Sequence, residues 1–124
     1  MSMLIKSLVA TAAALAAGGL AAQDVQVVKI GHVAPVSGAQ AHYGKDNENG
    51  ARMAIEDLNG QNLVIGGKKI RFELIAEDDA ADPKQGTAAA QKLCDAKVHG
   101  VIGHLNSGTT IPASGDVLKI GAIR

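Results

Sequence analysis

The chain has 124 residues, with 12 Lys and Arg against 12 Asp and Glu, and carries one Cys, one Tyr, one Phe and no Trp. A formal charge of zero, with no basic run longer than Lys68-Lys69, excludes the counterion-releasing surface that a nucleic-acid partner requires. A core with almost no aromatic side chains has to be built from Ala, Val, Ile and Leu, which suits helices packed closely on a sheet.

Residues 1–22 differ in kind from the rest. Lys6 precedes an apolar, Ala-rich run from Leu8 to Leu20 that is too short to span a membrane, and Gly19-Leu20-Ala21-Ala22 offers the small residues of a processing site. The segment lacks the Arg content and amphipathic spacing of a mitochondrial presequence, so a cleaved secretory signal peptide is expected. Residues 23–124 remain as the mature chain, with no stable membrane insertion after cleavage. An exported protein forms disulfides readily, yet Cys94 has no partner in the sequence. Its helical spacing with Gly86, Ala90 and Leu93 marks it as a small buried apolar side chain.

Val25 to Val33 is β-branched and almost continuous, the pattern of a central strand. Pro35 and Gly38 punctuate the following segment as a loop carrying Tyr43, placed either to wall a ligand pocket or to cover the local core. From Asp46 the pattern becomes helical, with Ala51, Ala54, Ile55 and Leu58 on one face and Asn59-Gly60 as the stop signal. Gln61 to Lys69 is a polar connection in which Gly66-Gly67 makes a turn into the next strand, Ile70 to Glu77. That strand alternates apolar with charged residues, Ile75 excepted, so one of its faces is expected to be less buried than in the first strand.

The acidic run Glu77-Asp78-Asp79-Ala80-Ala81-Asp82 lacks the glycine and ligand spacing of a calcium loop. Asp82-Pro83 reads instead as the N-cap and first residue of a helix to about Lys97 that turns Gly86, Ala90, Leu93 and Cys94 inward. Val98 to Gly103 is the third strand. Strand and helix alternate throughout, which implies an α/β fold with a parallel sheet, flanking helices and right-handed crossovers. A last helix starts near Thr109 or Ile111 and ends at Gly121, and Ala122-Ile123-Arg124 resembles the opening of another strand. The sheet border left there is expected to be exposed and prone to edge pairing.

The most informative stretch is Gly100 to Pro112, where the third strand runs through a polar elbow into that helix. The first N–H groups of a helix have no internal partner, and the peptide dipoles add positive potential, so an anion fits there without catalytic machinery. Ser107, Thr109 and Thr110 supply hydroxyls beside those amides, and Gly108 removes a side chain that would hold a ligand away. Residues of this type fit either a carboxylate-binding elbow or an ordinary cap in which Asn106 or Ser107 serves its own helix. The four histidines at 32, 42, 99 and 104 show no metal spacing, and no metal or cofactor is expected. A hydrolase with Ser107 as nucleophile and His104 or His32 as base lacks the G-x-S-x-G elbow, and neither a phosphate-binding nor a dinucleotide-binding glycine motif is present.

Taken in order, Ile30-Gly31, Pro35-Val36-Ser37-Gly38, Tyr43-Gly44, Gly50-Ala51, Asn59-Gly60, Asp78-Asp79, Asp82-Pro83-Lys84-Gln85 and Val101-Ile102-Gly103-His104-Leu105 resemble the first lobe of periplasmic leucine/isoleucine/valine-binding proteins. These are the substrate-binding components of branched-chain amino acid ABC transporters. The resemblance implies a partial first lobe of a type I periplasmic binding protein fold, a periplasmic location, a small amino acid ligand, a membrane permease as partner and no chemical step. It also implies that Ser107 grips the ligand carboxylate, with Leu105 and Asn106 in the wall and Tyr43 as a wall aromatic. Family members often tie two loops by a disulfide whose positions here are Ala81 and Asn106, so the loops are expected to be held by packing alone. The second lobe and its ammonium-binding carboxylate have no counterpart in the sequence, which is expected to be an N-terminal fragment. A ligand-sensing ectodomain of the same fold is the alternative the resemblance leaves open.

Overall fold

The computed structural model describes residues 24–120. The expected leader, the helix stop at Gly121 and the strand-like Ala122 to Arg124 lie outside the described residues. Strand β1 (Val25–Ala34) is followed by helix α1 (Ala41–Gly60), β2 (Val64–Ile65), β3 (Lys68–Asp78), α2 (Pro83–Asp95), β4 (Gly100–Gly103) and α3 (Ser107–Val117). The sheet order is β2-β3-β1-β4, with β1 in the interior. It pairs in parallel with β3 from Val25 opposite Lys69 to Ala34 opposite Asp78, and with β4 from Ile30 opposite Gly100 to Val33 opposite Gly103. Only the second half of β1 has neighbours on both sides, and burial follows: Val25 is exposed, whereas Gly31 to Ala34 are buried.

Alternation along β1 assigns the helices to opposite faces. His32 points to α1, its Nε2 lying 2.8 Å from Asn47 Oδ1. Gly31 and Val33 point to α2, where Val33, Ala89, Leu93 and Val98 form the core cluster and Ile75 packs against it. Ile75 is the residue that breaks the charge alternation of β3, and this packing is why. Leu93 is fully buried, which contributes about 1.5–3 kcal/mol. Its seat needs Gly31, since a Cβ there would stand 2.7 Å from Leu93 Cδ1. On the opposite face Ala51 and Ile55 of α1 are buried, as is Ile70 of β3. Asn59 fixes the end of α1 to the sheet by exchanging two hydrogen bonds with the Phe72 backbone, at 2.8 and 2.9 Å.

Four expectations need correction. Helix α1 begins at Ala41, so Tyr43 lies in its first turn and not on a loop. Gly44 is therefore buried inside the helix, where the Pro35 carbonyl occupies the place of its missing Cβ. The turn at Gly66-Gly67 forms, with φ of 59° and 79°, but it joins β3 to an additional antiparallel strand, β2. Helix α3 starts at Ser107, two residues or more before the expected position, and Pro112 therefore falls inside it. Cys94 is half-buried beside α3, where its thiol donates to the Asp116 carbonyl at 3.1 Å. Ala89 takes the fully buried place on α2 instead.

Candidate ligand-binding site

The loops after β1 and β4 leave the sheet toward opposite faces, because α1 covers one face while α3 packs on α2 over the other. β1 and β4 are adjacent, so the chain leaves their carboxyl ends in opposite directions. Open α/β sheets bind their ligands at such a place.

The elbow after β4 is held from several sides. Gly103 has φ of 127°, and a Cβ there would collide with the Val33 carbonyl, so only glycine brings β4 this close to β1 before the turn. The peptide that follows it, Gly103–His104, is cis. His104 is buried and its Nε2–H donates to the Gly86 carbonyl at 3.0 Å, fastening the elbow to α2. Thr109 is fully buried against Gly86, where a Cβ would stand 2.8 Å from the Thr109 Cβ. The Asn106 carbonyl gathers the first turn of α3, accepting from the Thr109 and Thr110 amides at 3.2 and 2.9 Å and from both threonine hydroxyls at 3.0 and 2.8 Å.

This allocation divides the expected ligand groups. Thr109 and Thr110 spend their hydroxyls on the backbone, so they are parts of the scaffold and not ligand donors. Ser107 and Gly108 are exposed at the first positions of α3, and their N–H groups have no acceptor among the described residues. Asn106 sits at the N-cap position but makes no side-chain capping bond. Its Nδ2 donates instead to Gln40 Oε1, 2.7 Å away, at the start of α1. The loop after β4 is therefore tied by a hydrogen bond to the start of α1. Leu105 is 39% exposed beside the elbow, and Tyr43 is 61% exposed with its ring against His42 at a centroid distance of 3.9 Å. Gln40 escaped the sequence reading, because glutamine is a poor cap and its partner is 66 residues away.

The acidic turn between β3 and α2 has its own economy. Asp78 Oδ1 accepts from Val36 N at 2.9 Å and Ala80 N at 2.8 Å, while Asp79 Oδ1 accepts from Ala81 N at 2.9 Å. Burial pushes the Asp78 pKa upward, but hydrogen bonds from the Ser37 hydroxyl and the amides of Ala80, Val36 and Ser37 outweigh it and hold the carboxyl below its ordinary value. Asp82 caps α2 through Gln85 N at 2.9 Å. These carboxylates serve backbone amides. His32 is committed to Asn47 and His104 to Gly86, so neither ring holds the Ser107 hydroxyl as a general base would.

The parallel strands of the sheet thus end beside unpaired amides and an exposed hydroxyl. The chain belongs to the periplasmic binding protein family, whose model matches residues 27–121. It is not an enzyme, and the hydrolase reading of Ser107 falls with that membership. Its relatives include Leu/Ile/Val-binding protein homolog 1 of Brucella abortus, 47% identical over 106 residues covering 86% of this chain and 27% of the relative. The Leu/Ile/Val-binding protein of Escherichia coli K12 is 39% identical over 110 residues, 88% of this chain and 28% of that protein. Among solved structures, the branched-chain amino acid transporter substrate-binding protein LivJ of Streptococcus pneumoniae in complex with isoleucine superposes with a TM-score of 0.68 at 30% identity, over 77% of this chain and 27% of that one. The chain thus spans under a third of the length of these proteins. Among the described residues, no helix is long and apolar enough to cross a membrane.

Proposed function

We propose that the chain is the N-terminal part of the first lobe of a substrate-binding component of an ABC transporter for branched-chain or related amino acids. Residues 1–22 are the signal peptide that sends it to the periplasm, and residues 23–124 are an incomplete lobe. A ligand carboxylate rests on the amides of Ser107 and Gly108 and on the Ser107 hydroxyl, with Leu105, Asn106 and Tyr43 around it; a membrane permease receives the ligand from the full-length protein. The observation that carries this reading is the pair of unpaired amides beside an exposed hydroxyl just past the carboxyl end of β4.

Magnitudes set what this lobe does alone. Each charge-assisted hydrogen bond contributes about 1.5–3 kcal/mol, and an exposed helix end about 0.3–1 kcal/mol. Micromolar affinity needs about 8 kcal/mol, and the ordering of ligand and side chains subtracts from the gain. One elbow open to water on its other side therefore binds leucine weakly. In a titration with leucine followed by amide NMR, the Ser107 and Gly108 signals shift and Ser107→Ala reduces the response, while calorimetry at micromolar protein gives no isotherm. Shifts that avoid the elbow would overturn the carboxylate assignment, and a micromolar isotherm would overturn the weak grip.

A further inference from the structure

We infer that Gln40 is a positioning residue for the elbow: by holding the Asn106 carboxamide away from α3, it keeps the helix's first amides free for a ligand. The consequence for binding rests on the reading proposed above; the lock itself does not. Asn106 has the extended backbone of an N-cap residue, φ −101° and ψ 137°, from which an asparagine side chain ordinarily accepts an N–H of the next two or three residues. It makes no such bond, and donates to Gln40 Oε1 at 2.7 Å instead. Gln40 is the N-cap residue of α1 and likewise makes no side-chain bond to its own helix. Two cap residues on opposite faces of the sheet are thus bonded to each other, and each helix start is left without its side-chain cap.

The competing arrangement is close at hand. The Thr109 amide already reaches the Asn106 carbonyl, so the free Gly108 N–H is the donor a rotated Asn106 side chain would take. A ligand carboxylate wants the same donor. A neutral side-chain hydrogen bond and an N-cap are of comparable worth, so removal of Gln40 tips the balance toward self-capping. The same asparagine then becomes an intramolecular competitor of the ligand.

The test is amide hydrogen exchange and a leucine titration by NMR on the chain and on Gln40→Ala, Asn106→Ala and the double variant. In Gln40→Ala, exchange at Gly108 slows and leucine affinity drops, each about fivefold, the factor an N-cap represents. The slowing vanishes when Asn106→Ala is added, with Gly108 exchange returning to within about twofold of the parent. A residue that merely braces the loop would do the opposite, speeding exchange in Gln40→Ala. Faster or unchanged exchange at Gly108 in that variant overturns the lock, as does slowing that persists in the double variant. Absence of any leucine response in the parent chain removes the ligand reading, and the exchange data still decide the lock.

Discussion

The starts of α2 and α3 occupy equivalent places, each following a parallel strand at its carboxyl end, yet one is nearly closed and the other open. At α2 nearly all donors are consumed: Ala80 and Ala81 give their amides to Asp78 and Asp79, Asp82 N donates to the Asp79 carbonyl at 2.7 Å, Gln85 N goes to the Asp82 carboxylate, and Pro83 has no N–H, which leaves the Lys84 N–H alone without an acceptor among the described residues. At α3 the carboxamide that stands where Asp82 stands is turned aside, and Ser107 and Gly108 keep their N–H groups. The dipole is the same at both ends. What differs is cap chemistry, which leaves two donors without an acceptor at α3 and one at α2.

The largest effect comes from removing the scaffold that aims the open end. Gly103→Ala forces a side chain into positive φ and against the Val33 carbonyl, and is expected to cost about 3 kcal/mol or more. Denaturant unfolding measures it. A loss below about 1 kcal/mol would mean that the elbow is not held by the close approach of β4 to β1.

Next in size is the carboxylate that closes the other loop. Because Asp78 titrates below its ordinary value of 3.8, its hydrogen bonds stabilise the fold fully above that value. The stabilisation is lost as the pH falls through 3.8 toward the lower folded pKa. Asp78→Asn replaces charge-assisted bonds to Val36 and Ala80 with neutral ones, an expected loss of about 1–2 kcal/mol at pH 7, and flattens this part of the acid limb in unfolding midpoints measured from pH 6 to 2.5. An unchanged acid limb would remove Asp78 as the organiser of the closed loop.

How legible these two ends were in the sequence depends on how local their chemistry is. Asp82 sits three residues from the amide it caps, and the start of α2 was readable as a cap followed by a first helical residue. The parallel strands were readable too, since β-branched runs report burial directly. At α3 the same local rule left two options standing, and the outcome turns on Gln40, a residue with no cap preference brought near only by the completed sheet. Helix α1 was read short for a related reason. Its pattern is apolar only from Ala51 on, while Gly44 is inside the helix because the Pro35 carbonyl packs against it, a contact with no signature in spacing. Thr109 and Thr110 resembled ligand hydroxyls because hydroxyl chemistry is the same whether the acceptor is a carboxylate or the Asn106 carbonyl.

A smaller effect compares the caps themselves. Asp82→Ala removes a working cap and is expected to cost about 1 kcal/mol. Asn106→Ala removes a side chain that caps nothing and costs less than about 0.5 kcal/mol. Equal losses in paired thermal melts would show Asn106 capping α3 in solution, and the contrast between the two ends would disappear.

The smallest effect on stability separates binding from folding. Gly108 lies in the first turn of α3, and a Cβ built on it meets nothing within 4 Å. Glycine inside a helix is disfavoured relative to alanine by roughly 0.5–1 kcal/mol, so Gly108→Ala is expected to raise the unfolding midpoint by a few degrees at most. The methyl group occupies the space beside the free amide that a carboxylate would enter, so the leucine response weakens in the variant as its stability rises. The glycine in the fourth position of α2 gives the reverse pattern. Gly86 is buried, its missing Cβ is the space that Thr109 fills, and Gly86→Ala is expected to cost stability. If Gly108→Ala were destabilising, the space above the elbow would be filled by protein; if it left leucine binding untouched, that space would be empty without being the site.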